Sequence, residues 1–250
     1  MLLFRNRRVC WLMSVITAVL TAAFLSARTP QAQAPKRLAL VGGMLLTGYE
    51  VPPIHHAAIL IEGNKIVAAG PTSDISIPVD AAIIDTTGRT MLPGLIETHG
   101  HLAVLGHGAY ETWFPSINSH GGDKMLTRVM EISARQLLMA GITTAVDLGA
   151  PLKESLSIRD RINEGDVVGP RMLMGGPWIA RLSGAGATGA MQVGFGGLNI
   201  STPEQAAQET EKLATAGVDV IKAHAGLTLE DYKTIADTAH KHRLRVFAVA

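Results

Sequence analysis

A chain of 250 residues with a formal net charge of +1, 47% hydrophobic and only 4% aromatic residues holds enough apolar surface for one large domain or two smaller ones. The near balance of charge excludes a strongly basic nucleic-acid-binding surface. The single cysteine, Cys10, excludes an internal disulfide and leaves His, carboxylate or Lys-derived groups to hold any metal.

The first 34 residues read as a targeting segment. Arg5, Arg7 and Arg8 precede an uncharged, mostly apolar run from Val9 to Leu25, and Ala32-Gln33-Ala34 offers a small-residue cleavage site. The expectation is a signal peptide and a secreted or periplasmic body. The alternative is membrane anchoring through residues 9–25, a run short of the ~20 residues a span prefers.

Residues 35–90 read as a small β domain. Apolar stretches at Arg37–Leu46, Ala57–Ile61, Ile66–Ala69 and Ala81–Ile84 are punctuated by Gly, Pro and Asp, and Glu62-Gly63-Asn64-Lys65 predicts a hairpin. No helical period is read before residue 120.

The run Met91 to Leu102 (MLPGLIETHGHL) follows. If Leu92–Ile96 leads a strand into His99-Gly100-His101, alternation puts both imidazoles on one side, where they make half of a metal site. Gly100 would let the backbone approach whatever they hold. A loop is expected to about His120. Then Lys124–Ala140 shows helical spacing, Ile142–Leu148 reads as a strand, Leu152–Glu164 as a helix and Arg171–Met174 as a strand. A Gly-rich loop follows to Ile200. Its Gly184, Gly186 and Gly189 match a dinucleotide-binding spacing, but in a context that joins no strand to a helix. Thr202-Pro203 starts a helix ending at Gly217, Val218–Ala223 is a strand, Thr228 with Asp231 forms a capping box, and Leu244–Ala250 begins another strand. Strands alternating with helices predict a parallel sheet, and chemistry at the strands' C-terminal ends suits a (β/α)8 barrel. The fold class expected is therefore α/β: a small β domain over 35–90, then over 91–250 the first four to five strands of a barrel, and the family resemblance carried by the stretches below implies that the β domain is a β-sandwich.

Three stretches, PGLIETHGH at 93–101, GITTAVDLG at 141–149 and GVDVIKAHAG at 217–226, resemble the metal-dependent amidohydrolase superfamily, and within it the imidazolonepropionase-like and prolidase-like hydrolases. The resemblance covers roughly residues 36–250. It implies that His99 and His101 are first-strand metal ligands and that Lys222 is a carboxylated lysine bridging two divalent ions, usually zinc. It also implies hydrolysis of a carbon–nitrogen bond in an amide, cyclic amide or dipeptide by a hydroxide activated at that binuclear centre. The family's remaining ligands, a His on each of strands five and six and an Asp on strand eight that shuttles the proton, find no counterpart, and the strand-five position falls near Val249. The alternative reading is a truncated, catalytically inactive fragment.

His107, Trp178, Arg181 and His224 are the substrate-contact candidates, the first three from loops at the expected active face and His224 from its spacing two residues beyond Lys222. Asp147 is expected to hydrogen-bond within the fold rather than act in catalysis. A small-molecule or short-peptide substrate is expected and no nucleic acid, with a homo-oligomer left open.

Overall fold

The computed structural model describes residues 36–105 and 109–249. The targeting segment, the apolar run 9–25, Cys10 and His107 lie outside them. Among the described residues no helix is long and apolar enough to cross a membrane. The chain divides after Pro93 into two compact units.

The first unit is built of short strands. β1 (Arg37–Val41) and β2 (Met44–Leu45) are separated by the two glycines of the predicted interruption, and Gly42 takes the left-handed conformation at φ +99°. β3 (Ala57–Glu62) and β4 (Lys65–Pro71) form the expected hairpin, with β5 (Ala82–Asp85) and β6 (Thr90–Met91) following. The sheet order is β4-β3-β1-β5, antiparallel except where β5 joins β1, and β2 pairs β6 in a separate parallel ladder. Leu45, Ala57, Ile59 and Met91 form its buried core.

The second unit opens with β7 (Leu95–Gly100). The expectation of no helix before residue 120 is corrected next: α1 spans Tyr110–Ser119. Tyr110, Trp113, Phe114 and Ile117 lie at helical spacing, but Pro115 in their midst reads as a loop signal. At the sixth position of the helix it removes one backbone hydrogen bond, while Phe114 and Ile117 are buried in the main core. α2 (Asp123–Met139), β8 (Ile142–Asp147), α3 (Leu152–Asn163) and β9 (Arg171–Met174) follow the predicted alternation. The Gly-rich loop is not structureless. It contains β10 (Ile179–Ala180), two short helices α4 (Ala185–Thr188) and α5 (Ala190–Gly194), and β11 (Leu198–Asn199). α6 (Pro203–Ala216) starts at Thr202, whose hydroxyl accepts from the Gln205 amide, and stops at Gly217 at φ +91°. β12 (Val220–Ala223), α7 (Leu229–Lys241) with the Thr228–Asp231 capping box, and β13 (Arg245–Ala248) complete it.

All strand pairs of this unit are parallel, in the orders β7-β8-β9 and β11-β10-β12-β13. The two sheets meet at Asp219, whose amide donates to the Met174 carbonyl at 2.8 Å and whose carboxylate accepts from the Met174 amide at 2.9 Å. Arg159 of α3 donates to the same carboxylate at 3.0 Å and to the Gly217 carbonyl at 2.7 Å. The strands alternate. Ala145, Met172 and Met174 pack on α1, α2 and α3, and Ile221 and Ala223 on α6 and α7, while Val146, Leu148 and Val220 cluster separately with Leu173 and Phe247. Lys222, two residues after Val220, lies on the side away from the helices.

Asp219 therefore bears on stability. Asp219→Ala leaves the Met174 amide without its acceptor and removes one of the acceptors of Arg159, and is expected to lower the unfolding free energy by ~1–3 kcal/mol, measured by urea denaturation. An unchanged midpoint would show that the sheets do not depend on this bridge.

Candidate functional site

The site lies at the C-terminal end of β7. Pairing with β8 slips between Glu97 and Gly100, so the strand carries an extra residue next to His99. The Glu97 carboxylate accepts the His99 amide at 2.9 Å and holds the bulge. Gly94, at the start of the motif, is sterically required because a Cβ would overlap the Thr143 side chain. Gly100 is not: a Cβ there would meet only ordinary contacts at 3.5 Å, so close approach is not what selects it.

The His99 and His101 rings lie 5.3 Å apart, nearly perpendicular. His101 Nδ1 is buried without a hydrogen-bond partner. Burial, then the neighbouring His99, push the His101 imidazole down to about 4. Burial, then Lys222, lower His99 as well. Both rings are therefore neutral at pH 7 and keep a nitrogen lone pair, the form a divalent ion requires. Lys222 is 1% exposed, has no hydrogen-bonding or ionic partner among the described residues, and is lowered by burial. Its charge acts on His99, His101 and His224 alike.

Asp147 fixes the loop after His101. One carboxylate oxygen accepts from the Leu102 amide at 2.9 Å and the other from the Gly149 amide at 3.0 Å. Complete burial pushes the carboxyl up to about 7 against these two donors. The role is the structural one expected.

A cavity of about 590 Å³ opens beside the histidines, lined by His99, His101, Tyr110, Trp178, Phe195 and His224 together with Val104 and Met191. Trp178 stacks on His224 at 4.5 Å and 20°. Phe195 packs 4.8 Å from Trp178 and 5.0 Å from His101. His224 Nδ1 is buried and unpartnered. Trp178 and His224, two of the residues expected to contact substrate, line this cavity. Arg181 does not line this cavity: it is clamped by the buried Asp231 at 2.6 and 2.8 Å, lowering that carboxyl, and also donates to the Ser201 carbonyl. Tyr110, Met191 and Phe195 escaped the sequence reading because they sit in stretches read as loop. The aromatic spacing around Phe114 was the signal for Tyr110. A larger cavity of about 710 Å³ between α2 and α3 has its Arg128 and Arg161 bound to Glu131 at 3.0 and 2.7 Å, and carries no unpartnered buried polar atom.

Among the described residues no group of three His, Cys, Asp or Glu side chains could hold a metal. The fit to a divalent ion is that of two neutral imidazoles, one with an orphaned buried nitrogen, plus a lysine whose ammonium would repel a cation and whose carboxylated form would bind one.

The family model of amidohydrolases matches residues 90–240. The chain belongs to the amidohydrolase family. An imidazolonepropionase of Geobacillus kaustophilus is 31% identical over 118 residues, 36% of this chain and 27% of that protein. A 5-methylthioadenosine/S-adenosylhomocysteine deaminase of Symbiobacterium thermophilum is 27% identical over 157 residues, 57% of this chain and 35% of that one. A solved structure of a prolidase candidate from Bifidobacterium longum superposes with a TM-score of 0.66 at 26% identity, over 86% of this chain and 49% of the other. This amidohydrolase chain thus spans about half the length of that solved relative or less of the curated ones.

Two outcomes test the site of this amidohydrolase. Gly197→Ala places a methyl group against Trp178 Nε1 and the Gln192 side chain; a loss of ~1–3 kcal/mol is expected, with an altered near-ultraviolet circular dichroism signal from the indole. For His101 the folded value is lowered from 6.5 to about 4, so its contribution is complete above 6.5 and lost as pH falls through about 4. In metal-free protein the stability difference between wild type and His101→Gln should shrink over that window by up to about 3 kcal/mol. A difference constant with pH would contradict the buried neutral ring.

Proposed function

We propose that the chain carries one arm of a metal-dependent hydrolase of carbon–nitrogen bonds, with His99, His101 and carboxylated Lys222 as its ligands. The observation that carries this reading is the meeting of two neutral imidazoles with a buried lysine, unpaired among the described residues, at the ends of parallel strands. Strand order supports a (β/α)8 barrel: β7, β8 and β9 are joined through Asp219 to β12 and β13 in sequence order. In this reading residues 35–90 are the β-sandwich that precedes the barrel and residues 1–34 direct the protein out of the cytoplasm.

An ammonium at Lys222 would oppose both a cation and His⁺ neighbours. Carbon dioxide added to the neutral amine gives a carbamate anion with two oxygens, which suits a binuclear site, and zinc suits the imidazole and oxygen donors. The bound ions would supply Lewis acidity that polarises a carbonyl and acidifies water. The chain's own residues hold and orient: His99 and His101 bind through nitrogens kept unprotonated by burial. Asp147 keeps the backbone after His101 in place, and the aromatic walls exclude water from one side of the reacting group. Proton delivery to the leaving nitrogen is assigned to none of them.

The named relatives differ in what they act on: an imidazolonepropionase, a deaminase of 5-methylthioadenosine and S-adenosylhomocysteine and, for the solved structure, a prolidase candidate. Their shared chemistry is attack at a carbon bonded to nitrogen, which is the level the proposal adopts.

Zinc titration of chelated protein tests it. His99→Ala and His101→Ala should each weaken binding at least about tenfold. With ¹³C-labelled bicarbonate, wild-type protein should give a carbamate carbon resonance that Lys222→Ala lacks, together with loss of any amide-hydrolysing activity. Folded wild-type protein that takes up no divalent ion, or turnover retained by Lys222→Ala, would overturn the assignment.

A further inference from the structure

The cavity of about 710 Å³ between α2 and α3 lies toward the ends of these helices that lead into β8 and β9, away from the histidines at the end of β7. Helix α2 presents to it Arg128, Glu131, Ile132, Arg135 and Met139. Their spacing of three or four residues makes them one stripe on one face of the helix. Arg161 of α3 and, after it, Val167 and Val168 form the other wall. The core-facing side of α2 is a different one, made by Leu126, Val129, Met130 and Ala134. Packing of the core therefore does not account for the stripe.

The charges of the groove are arranged in a definite way. Glu131, its side chain 20% exposed, receives Arg128 at 3.0 Å on one oxygen and Arg161 at 2.7 Å on the other. One carboxylate thus fixes two guanidiniums across α2 and α3 without neutralising both, and each keeps further N–H donors. Arg135, four residues beyond Glu131, has no hydrogen-bonding or ionic partner among the described residues. Asp166 is the other carboxylate of the lining, so three guanidiniums face two carboxylates. Between the charges the surface is apolar, and two of its side chains stand out from the fold: Met139 is 78% and Val168 60% exposed. Arginine and methionine beside exposed aliphatic surface is the composition of a protein interface. Arg128 and Arg135 lie seven residues apart, about 10 Å along the helix at 1.5 Å per residue. An extended chain covers that length in about three residues.

We propose that this groove is a docking site for an acidic, partly apolar peptide segment of a partner protein. Two carboxylates about three residues apart meet the Arg128–Arg161 pair and Arg135, and aliphatic side chains between them cover Ile132, Met139 and Val168. Charge complementarity selects this class. A basic segment would be repelled by the guanidiniums in excess, and a neutral one would cover Arg135 without giving it a counter-charge, which is costly. A purely acidic segment would leave the aliphatic surface in water. The groove shares no residue with the cavity beside the histidines, so the inference stands apart from the hydrolase reading.

Fluorescence anisotropy of the full chain with three labelled, end-capped peptides tests it. The acidic probe is Gly-Glu-Leu-Leu-Glu-Gly; in one comparison peptide lysine replaces both glutamates, in the other glycine replaces both leucines. The acidic probe is expected to bind saturably, at least about tenfold more tightly than the lysine peptide, and more tightly than the glycine peptide. Raising salt from about 0.05 M to about 0.5 M should weaken it. Arg135→Glu should weaken it about three- to tenfold, and Val168→Asp should weaken it by placing a carboxylate on the aliphatic surface. Lys153→Glu makes the same change of charge as Arg135→Glu, at an 84% exposed side chain in the first turn of α3 outside the groove, and should leave binding unchanged. Far-ultraviolet circular dichroism checks that the three variants fold. No saturable binding up to about 1 mM, equal binding of either comparison peptide, or binding unchanged in Arg135→Glu or in Val168→Asp would overturn the proposal. So would an equal loss in Lys153→Glu, which would reduce the effect to net charge. A dimer in sedimentation velocity that Arg135→Glu dissociates would give the groove to a second copy of the chain and also overturn it.

Discussion

Two backbone amides, those of Leu102 and Gly149, end on the two oxygens of one buried carboxylate, Asp147. Leu102 follows His101, and Gly149 is the residue on which Trp178 rests. A single side chain at the end of β8 thereby sets both the exit of the histidine strand and the seat of the aromatic wall. Among the described residues nothing cationic shares the Asp147 site, and burial opposes its ionisation strongly enough to lift it to about 7. The arrangement survives because both carboxylate oxygens are satisfied and both amides would otherwise be orphaned in the core.

The same economy of backbone donors joins the rest of the unit. Asp219 does for β9 and β12 what Asp147 does for β7 and β8: a carboxylate beyond one strand accepts an amide from its neighbour. Such bridges matter where hydrogen-bonded ladders are short. β10 and β11 are two residues long, and β10 meets β12 through one registered pair. Side-chain acceptors, the Asn199 amide bonded to the Leu182 backbone included, complete what the ladders leave open.

Regular alternation was legible in the sequence. The hairpin at Glu62–Lys65, the capping of α6 and α7 and the strands before and after them follow from turn residues and local side-chain to backbone bonds, which act within four residues of each other. α1 was not, because Pro115 weighs against a helix locally while burial of Phe114 and Ile117 decides for one at long range. The His99/His101 pair and Lys222 could be placed on their strands by alternation alone. Their shared electrostatics could not, since it depends on strands more than a hundred residues apart. Arg181 shows the reverse error: an exposed-looking loop arginine whose partner, Asp231, was visible only as a helix cap.

Lys222 concentrates the argument about chemistry. It is 1% exposed on a strand between Ile221 and Ala223, both buried, and its charge acts on two histidines at the end of β7 and on a third just beyond its own strand, all unable to offer an anion. An aliphatic residue would fill that volume without the electrostatic cost. A lysine is intelligible there if its nitrogen is used in a neutral or anionic form. Burial lowers its proton affinity, which raises the fraction of free amine available to an electrophile. In the proposed reading, the property that makes the ammonium a poor occupant would favour its conversion to a carbamate, and the imidazoles that do not stabilise a cation would, with an ion between, be the neighbours of that anion.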